Sequence, residues 1–229
     1  FESDYQVCEL PSFQISDKIK QLNEQENTWE DLFSPALTSS TPPKLKDLTN
    51  DECQTIISAL GFSIQEYASK TGFNDFMIAL SGGIDSALVL AILHLTKKKG
   101  QKIEALFMPG KFSAGLSYDL SFEMCKRLEL KLHNLSIKFL HSATKNAYLD
   151  TYREELEGVA NENIQSRLRG AMLYARSNHN NSLVINTSNK SEIAVGYSTL
   201  YGDSVGALSI LGDLYKSEVF QLANYINNT

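Results

Sequence analysis

Residues 76–95 read FMIALSGGIDSALVLAILHL, and this stretch decides the fold class. Residues 76–80 are an apolar run of strand length that enters the turn Ser81-Gly82-Gly83. Residues 87–95 then have a helical composition, and Gly100 lies beyond them as a stop signal. The stretch therefore predicts a strand, a glycine turn and a helix, in that order.

The same alternation recurs twice further along the chain. Residues 103–108 predict a second strand, and residues 117–130 predict the helix after it. A third strand is predicted over 132–137, followed by a helical stretch to Tyr148. Parallel strands need a long connection that recrosses the sheet, and a helix usually provides it. We therefore predict an α/β fold with a doubly wound parallel sheet and flanking helices, in which ligands bind at the carboxyl ends of the strands.

Four further elements are predicted around this alternation. Thr49 and Glu52 fit a capping box, and Gly72 can end the helix that they begin. Residues 182–186 predict another strand. Apolar residues at helical spacing predict two more helices, one through Ile164, Leu168, Met172 and Ala175 and a last one through Val219, Leu222, Ala223 and Ile226.

The beginning of the chain differs in character from the rest. Residues 1–46 are polar and irregular, and residues 38–43, TSSTPP, favour extended chain over helix. We interpret residues 1–46 as a linker or the remnant of an upstream module. The folded domain is predicted to cover residues 47–229.

Composition excludes several classes of protein. Lys and Arg number 21 against 27 for Asp and Glu, so the net charge is −6 and the chain lacks the broad positive field of a nonspecific nucleic-acid binder. The apolar run 87–95 is too short to cross a bilayer. Cys8, Cys53 and Cys125 lie far apart, which indicates neither a zinc knuckle nor a disulfide framework. We expect a cytoplasmic protein without nucleic-acid or membrane partners.

The turn after the first strand has the features of a phosphate site. The unpaired amides and positive dipole end of a helix would face the ligand there, and two glycines permit close approach of the backbone. Ser81 and Ser86 add hydroxyl donors, whereas Asp85 would repel phosphate unless a cation lay between them, so we expect a bridging Mg²⁺. A plain strand-to-helix turn, with Asp85 and Ser86 as caps, is the alternative. The turn fits neither a Walker loop nor the three-glycine dinucleotide fingerprint.

This turn resembles the Ser-Gly-Gly-x-Asp-Ser loop of the ATP pyrophosphatase superfamily, whose members split ATP between its α and β phosphates. Two later stretches resemble NAD synthetase: residues 162–170, ENIQSRLRG, and residues 187–192, TSNKSE, continuing to GYSTLYGD at 196–203. Together with Met108-Pro109, the resemblance extends over residues 73–223. The Asn-Lys-Ser-Glu form is similar to the C-terminal synthetase domain of glutamine-dependent NAD(+) synthetases, and Leu200 and Ala207 support that branch.

The resemblance implies a carbon–nitrogen ligase of NAD biosynthesis with a Rossmann-like fold of the adenine nucleotide alpha hydrolase type. The nicotinate carboxylate of deamido-NAD would attack the α-phosphate of ATP, pyrophosphate would leave, and ammonia would then displace AMP. The family also implies Mg²⁺ and a homodimer or larger homo-oligomer.

The resemblance assigns roles to individual residues. Those implied for ATP phosphates and Mg²⁺ are Ser81, Gly82, Gly83, Asp85, Ser86, Thr187 and Lys216, with Asp85 on the metal, and Glu192 is implied for the metal or the dinucleotide. Those implied for the deamido-NAD pocket are Asn163, Arg167, Arg169, Tyr197, Thr199 and Leu200, and Met108 is a further residue implied for nucleotide binding. Asp203 is implied as a polar residue near the acyl transfer. Catalysis is expected to depend most on Asp85, Glu192, Lys216 and Asp203.

Each assigned residue also has a simpler interpretation. Asn163 and Arg167 could be solvated residues on one helix face, Glu192 could cap a helix, and Lys216 could be a surface lysine. Tyr197 could belong to the core, as could its neighbour Tyr201. At the level of function, the alternatives are another ATP pyrophosphatase ligase, GMP-forming or tRNA-modifying, and a noncatalytic nucleotide-binding domain.

The chain departs from the complete family pattern in two ways. The family usually continues with a segment that adds a phosphate contact, so we expect the domain to be incomplete at its C-terminus. None of the three cysteines lies in an amidase context. Glutamine hydrolysis would then require a nitrilase-like glutaminase module elsewhere in the full-length protein.

Overall fold

A five-stranded parallel sheet forms the centre of the computed structural model, which describes residues 46–111 and 113–229. The order of its strands across the sheet is β3-β2-β1-β4-β5, and every neighbouring pair is parallel. The strands are β1 (Asp75–Leu80), β2 (Ile103–Phe107), β3 (Leu132–Asn134), β4 (Ser182–Asn186) and β5 (Leu208–Ser209). This arrangement confirms the predicted α/β class, and Asp47–Thr229 form one compact unit.

Seven helices accompany the sheet within the described ranges. They are α1 (Asn50–Thr71), α2 (Ile84–Thr96), α3 (Gly115–Arg127), α4 (Lys138–Tyr152), α5 (Gly158–Asn180), α6 (Lys190–Ala194) and α7 (Lys216–Asn228). None of the helices in residues 46–111 and 113–229 is both long and apolar enough to span a membrane.

Alternation along β1 divides the core between the two faces of the sheet. Phe76, Ile78 and Leu80 point to one face and share a large apolar cluster with α1, α2 and α7. Met77 points to the other face, where Leu173 of α5 covers it. Because both faces are covered, β1 is apolar from Phe76 to Leu80, as is typical of parallel strands. The glycine turn therefore leaves β1 at the centre of the sheet.

Local capping sets the limits of α1, as predicted. Glu52 N donates to Thr49 Oγ1 over 3.2 Å, and Thr49 N donates to the Glu52 carboxylate over 2.8 Å. Gly72 ends the helix in the left-handed conformation, with φ of 78°. The start of α1 also contacts the end of the chain, because Tyr225 Oη of α7 donates to Gln54 Oε1 over 2.8 Å.

The structure corrects the predicted third strand and adds two short elements. The strand predicted over 132–137 ends at Asn134. Leu135 N still donates to the carbonyl of Phe107, the last residue of β2, and Ile137 N donates to that of Pro109, but the chain has already turned, and Ile137 is the N-cap of α4. The two added elements, α6 and β5, have five and two residues and are too short to show a periodic pattern in the sequence.

The buried face of α5 differs from the predicted one. The spacing of large apolar residues selected Ile164, Leu168, Met172 and Ala175, but the residues that are buried are Gly170, Leu173 and Ser177, and Ala175 is exposed. A Cβ on Gly170 would lie 2.7 Å from the backbone oxygen of Tyr201. Small residues therefore face inward, because another backbone passes close to the helix there.

Some sequence-based predictions fall outside the described residues. The linker or module remnant assigned to residues 1–46 lies there except for Lys46, and so does Cys8. The other two cysteines, Cys53 and Cys125, are buried on α1 and α3, and burial raises the pKa of the Cys125 thiol to about 11. A thiol with that pKa stays protonated at neutral pH, which makes Cys125 a core residue rather than a nucleophile.

Two glycine-to-alanine variants test how closely α5 approaches the chain at Tyr201. Gly170→Ala should lower the free energy of unfolding by about 1–3 kcal/mol, because the added methyl group meets a backbone oxygen. Gly115→Ala is the matched control, since among the described residues no atom outside the adjoining backbone of α3 lies within 4 Å of the added carbon. The control should be neutral or stabilise by up to about 1 kcal/mol. Urea denaturation measures both, and equal effects of the two substitutions would contradict the close approach.

Candidate active site

The glycine turn joins β1 to α2 and has a backbone that only glycine can provide. Gly82 has φ of 80°, and a Cβ there would lie 2.7 Å from backbone atoms of Ser117 at the start of α3. Gly83 is the residue before α2 and has no side chain to cap it. The first amides of α2 are therefore uncovered by any side chain of the N-cap, which is the arrangement that receives an anion.

Two hydroxyl groups shape this turn. Ser86 is buried, and its Oγ donates to Gly83 O over 3.0 Å and accepts from Ser81 N over 3.3 Å. Ser81 Oγ accepts from Gly83 N over 3.1 Å and faces the cavity described below. Both hydroxyls thus hold the turn in shape, and Ser81 is the one placed to meet a ligand.

Asp85, in the first turn of α2, connects three distant parts of the chain. Asn189 Nδ2 donates to Asp85 Oδ1 over 2.9 Å, and Lys216 Nζ forms an ion pair with Asp85 Oδ2. These partners are 104 and 131 residues away in sequence. The Lys216 ammonium also lies 5.9 Å from the centre of the Phe220 ring. Lys216 is half-buried and paired with Asp85, so the simpler interpretation of Lys216 as a surface lysine does not describe it.

Glu192 belongs to a capping box at the start of α6. Glu192 N donates to Asn189 Oδ1 and Asn189 N donates to Glu192 Oε2, both over 3.1 Å. The capping alternative therefore describes the contact that Glu192 makes here. The same geometry places Glu192 beside the residue that holds Asp85, so the two assigned metal carboxylates share one neighbour.

A cavity of about 710 Å³ opens at the carboxyl ends of β1, β2 and β4. This is the edge of the sheet where the sequence predicted ligand binding. Assigned residues in its lining are Ser81, Met108, Asn163, Arg169, Thr187, Tyr197, Thr199 and Asp203. The other assigned residues, which are Gly82, Gly83, Asp85, Ser86, Arg167, Glu192, Leu200 and Lys216, lie outside that lining.

Arg169 brings a positive charge to the wall of the cavity. Its Nε donates to the buried carbonyl oxygen of Met108 over 2.9 Å, and desolvation lowers the pKa of the guanidinium from its usual value. An arginine keeps its charge despite such a shift. No carboxylate of residues 46–111 or 113–229 forms an ion pair with Arg169. The side chain therefore presents an uncompensated cation to a bound molecule.

The segment of residues 195–207, here called the tyrosine loop, forms the outer wall of the cavity. Thr199 Oγ1 donates to Asn163 Oδ1 over 2.9 Å, and Arg167 Nε donates to Leu200 O over 3.1 Å, so α5 holds the loop. Thr199 N donates to Asp203 Oδ1 over 2.7 Å. Asp203 therefore stabilises the turn of this loop as well as lining the cavity.

The aromatic residues of the tyrosine loop do not belong to the core. Tyr197 and Tyr201 are both 80% exposed, and Leu200 is 69% exposed. The interpretation of the two tyrosines as core residues is therefore wrong. Tyr201 also has φ of 63°, a conformation that is uncommon for a side chain of this size. The loop presents apolar surface next to the cavity.

Sequence reasoning missed two buried asparagines that organise the site, Asn186 and Asn189. The Asn186 amide donates to Asp203 O over 2.9 Å and to Val205 O over 3.0 Å, while its Oδ1 accepts from Ser188 N and from Ser209 Oγ. It thus connects β4 to β5 and the tyrosine loop. The available signal was a polar residue at the end of the apolar strand SLVIN (182–186), at the sheet edge that binds ligands.

The assembled site can bind an anionic molecule that carries polar groups at two places. At one place, the backbone amides at the start of α2 lie near Lys216. At the other, the cavity wall contains the Arg169 guanidinium, the Thr199 hydroxyl and the Asn163 amide. A carboxylate and a cation next to these amides suit a phosphate that arrives with a metal ion.

Known proteins resemble this chain in both sequence and structure. A model of the NAD synthase family matches residues 56–228. A glutamine-dependent NAD(+) synthetase from Xanthomonas campestris is 43% identical over 164 residues, which cover 72% of this chain and 30% of the relative. The chain therefore spans about a third of the length of such relatives.

Two solved structures share the fold. That of a glutamine-dependent NAD+ synthetase from Acinetobacter baumannii in complex with adenosine diphosphate has a TM-score of 0.73 at 33% identity, covering 82% of this chain and 35% of that one. That of an NH3-dependent NAD synthetase from Campylobacter jejuni has a TM-score of 0.68 at 35% identity, covering 76% of this chain and 73% of that one.

The family match extends from α1 to the end of α7 and includes the glycine turn, α5, the capping box of α6 and Lys216. On this evidence the chain belongs to the NAD synthase family.

Proposed function

We propose that this chain carries out the ATP-dependent amidation of deamido-NAD to NAD, releasing AMP and pyrophosphate. The observation that carries the proposal is the junction of Asp85, Asn189 and Lys216 at the start of α2, whose first amides have no side-chain cap and whose preceding turn places Ser81 in the cavity lining. Membership of the NAD synthase family supports the choice of acceptor over a GMP-forming or tRNA-modifying ligase. We place the synthetase domain at residues 47–229 and take residues 1–46 as a linker or module remnant.

ATP would bind with its phosphates at the start of α2. The amides after Gly82 and Gly83 and the Ser81 hydroxyl would donate to phosphate oxygens, Ser86 would hold the turn, and Thr187 would contact the nucleotide from the end of β4. Lys216 would turn from Asp85 to the α-phosphate once the charge of Asp85 is compensated. The positive charge at this position stabilises the phosphate oxygens that gain charge during attack.

The donor set at the junction fits Mg²⁺. This ion usually takes one or two protein carboxylates and completes its shell with water and substrate phosphates. Asp85 and Glu192 provide two carboxylates next to Asn189, and no group of three or more His, Cys, Asp or Glu residues in the described ranges could hold a metal without a substrate. When bound, Mg²⁺ would neutralise phosphate charge. Asp85 and Glu192 would orient it.

Deamido-NAD would occupy the cavity between α5 and the tyrosine loop. Arg169, Asn163 and Thr199 provide charged and polar contacts, Met108 forms part of the lining, and Tyr197 and Leu200 offer apolar surface. Arg167 would act from the outside by holding the loop, and Asp203 would stabilise its turn near the acyl transfer. The nicotinate carboxylate would form a bond to the α-phosphorus as the bond to pyrophosphate breaks, and ammonia would then attack the acyl carbon and release AMP.

The reaction requires no covalent enzyme nucleophile. Ser86 Oγ contacts the backbone and Ser81, and no histidine of the described residues contacts it. Ammonia is the nitrogen donor in this proposal, with glutamine as its source when a nitrilase-like glutaminase module is present. We further propose a cytoplasmic homodimer.

A turnover assay is the first test of the proposed function. The purified chain with ATP, Mg²⁺ and deamido-NAD should release pyrophosphate, and NAD should appear only after ammonium is added, because displacement of AMP needs an amine. Chromatography follows both products. ATP consumption independent of deamido-NAD would favour another ligase, and tight ATP binding without pyrophosphate release would favour a noncatalytic nucleotide-binding domain.

Asp85→Asn tests the charge at the junction. It should lower the rate of pyrophosphate release by about a hundredfold, because a preorganised charge at the phosphates is lost. Asp213→Asn is the matched control, since Asp213 also pairs with a lysine, Lys190, over 2.7 Å but is exposed. An exposed pair contributes little, so the control should keep the rate within about twofold. Equal rates for both variants would remove Asp85 from the mechanism.

Arg169→Met tests the uncompensated cation in the cavity. The KM for deamido-NAD should rise by about 10- to 100-fold while the KM for ATP changes little, because a charged hydrogen-bond donor to an anionic substrate is lost. Arg127→Met is the control, since Arg127 is exposed on α3 and pairs only with Glu123 in the same helix. Steady-state kinetics with each substrate varied in turn measures both constants. Equal increases in the two constants for Arg169→Met would contradict the assignment to the dinucleotide.

A further inference from the structure

Asn189 is the most completely buried polar side chain near the site, with 0% of its surface exposed. The side chain and the backbone N of Asn189 make three hydrogen bonds, and these go to the two assigned carboxylate residues: Nδ2 donates to the Asp85 carboxylate, Oδ1 accepts from the Glu192 amide, and the backbone N donates to the Glu192 carboxylate. A buried polar group that is satisfied in this way is fixed in one orientation. Its position therefore fixes where Asp85 stands relative to α6.

The chemistry of this position requires an amide. The oxygen must accept from Glu192 N, and the other end must donate to a carboxylate oxygen on α2. Ser, Thr and Asp can cap a helix as Asn does, but the hydroxyls are too short to reach Asp85 as well, and Asp cannot donate when ionised. Asparagine therefore combines a capping acceptor with a donor at the right distance.

Lys216 cannot hold Asp85 throughout the reaction. In the proposed function, on which this step rests, Lys216 turns to the phosphate and leaves Asp85 Oδ2 free. Asn189 then keeps its contact with the Asp85 carboxylate, whereas Lys216 gives up its own. The amide on Oδ1 leaves Oδ2 directed away from Asn189 and available to a cation.

We propose that Asn189 is a positioning residue that holds the Asp85 carboxylate in a fixed position relative to Glu192. Binding of metal–ATP then depends on the hydrogen bond between Asn189 and Asp85. Asn189 does not touch substrate in this role. It acts through Asp85, and its effect should vanish when Asp85 has no carboxylate.

The test is a double-mutant cycle on metal–ATP binding. Asn189→Ser keeps the cap on Glu192 N and loses the donor to Asp85, and Asn189→Thr is a second variant of the same kind should the serine variant not fold. Each is combined with Asp85→Ala. The probe is ATP with Mn²⁺, with dissociation constants from calorimetry and the environment of the ion from electron paramagnetic resonance. Asn180→Ala is the matched control. Asn180 Nδ2 donates to the Glu104 carboxylate over 2.7 Å, and neither of these two residues lines the cavity.

Asn189→Ser should weaken binding of Mn²⁺–ATP by about tenfold or more, as expected for loss of a hydrogen bond to a charged group. The same substitution in the Asp85→Ala chain should have no further effect, because residues that act through one contact are not additive. The control should bind like the unsubstituted chain. Unchanged binding by Asn189→Ser and Asn189→Thr, or a full tenfold loss in the Asp85→Ala background as well, would overturn the proposal.

Failure of the positioning role can be told apart from failure of the proposed function. If Mn²⁺–ATP binding follows the cycle but pyrophosphate release does not depend on deamido-NAD, the acceptor is wrong and the role of Asn189 stands. If amidation proceeds while Asn189→Ser binds Mn²⁺–ATP normally, the reaction stands and the role of Asn189 is wrong. Absence of metal-dependent ATP binding by the unsubstituted chain would overturn both.

Discussion

The Asp85 carboxylate is the group on which the arrangement of the site depends. It lies in the first turn of α2, where the helix dipole favours a negative charge, and it receives a hydrogen bond from Asn189 and an ion pair from Lys216. Each contact joins the glycine turn to a later part of the chain. Without this carboxylate, Lys216 would lose its partner in the ion pair, and the buried Asn189 amide would be left with an unpaired donor, which is costly to bury.

The sheet makes this meeting possible, because parallel strands end at one edge. β1 leads into the glycine turn and β4 leads to Thr187 and Asn189, and the two strands are direct neighbours. The turn cannot carry a side chain at Gly82, since the backbone of α3 passes within 2.7 Å of the added carbon. On the other face, α5 places Gly170 against the backbone of the tyrosine loop, and Arg169, the next residue, then lines the cavity. Close backbone approach at these two glycines thus brings both the glycine turn and Arg169 to the same edge of the sheet.

The parts of the fold that follow from local chemistry were predictable from the sequence. The ends of α1 were predictable because Thr49, Glu52 and Gly72 cap the helix through contacts between residues that are close in sequence. The central strands β1, β2 and β4 were too, because both faces are buried and they read as apolar runs. The buried face of α5 was not, since Gly170 and Ser177 face inward only because of what packs on them. Short elements such as α6 and β5 lack a period. Asn189 was quoted within a motif but not assigned a role, because its carboxylate partner is 104 residues earlier.

In the proposed function one site serves both a metal and a phosphate, and the ion pair between Asp85 and Lys216 gives a physical reason. With the two residues paired, their charges cancel, so neither an isolated anion nor an isolated cation gains the full attraction of its counterpart. A metal ion and a phosphate that entered together would compensate both charges at once, the cation on Asp85 and the anion on Lys216. Asn189 would matter in this exchange because its contact to Asp85 Oδ1 would not have to break when Oδ2 changed partner. A neutral amide suits this task better than a second cation, since it holds the carboxylate without competing for its charge.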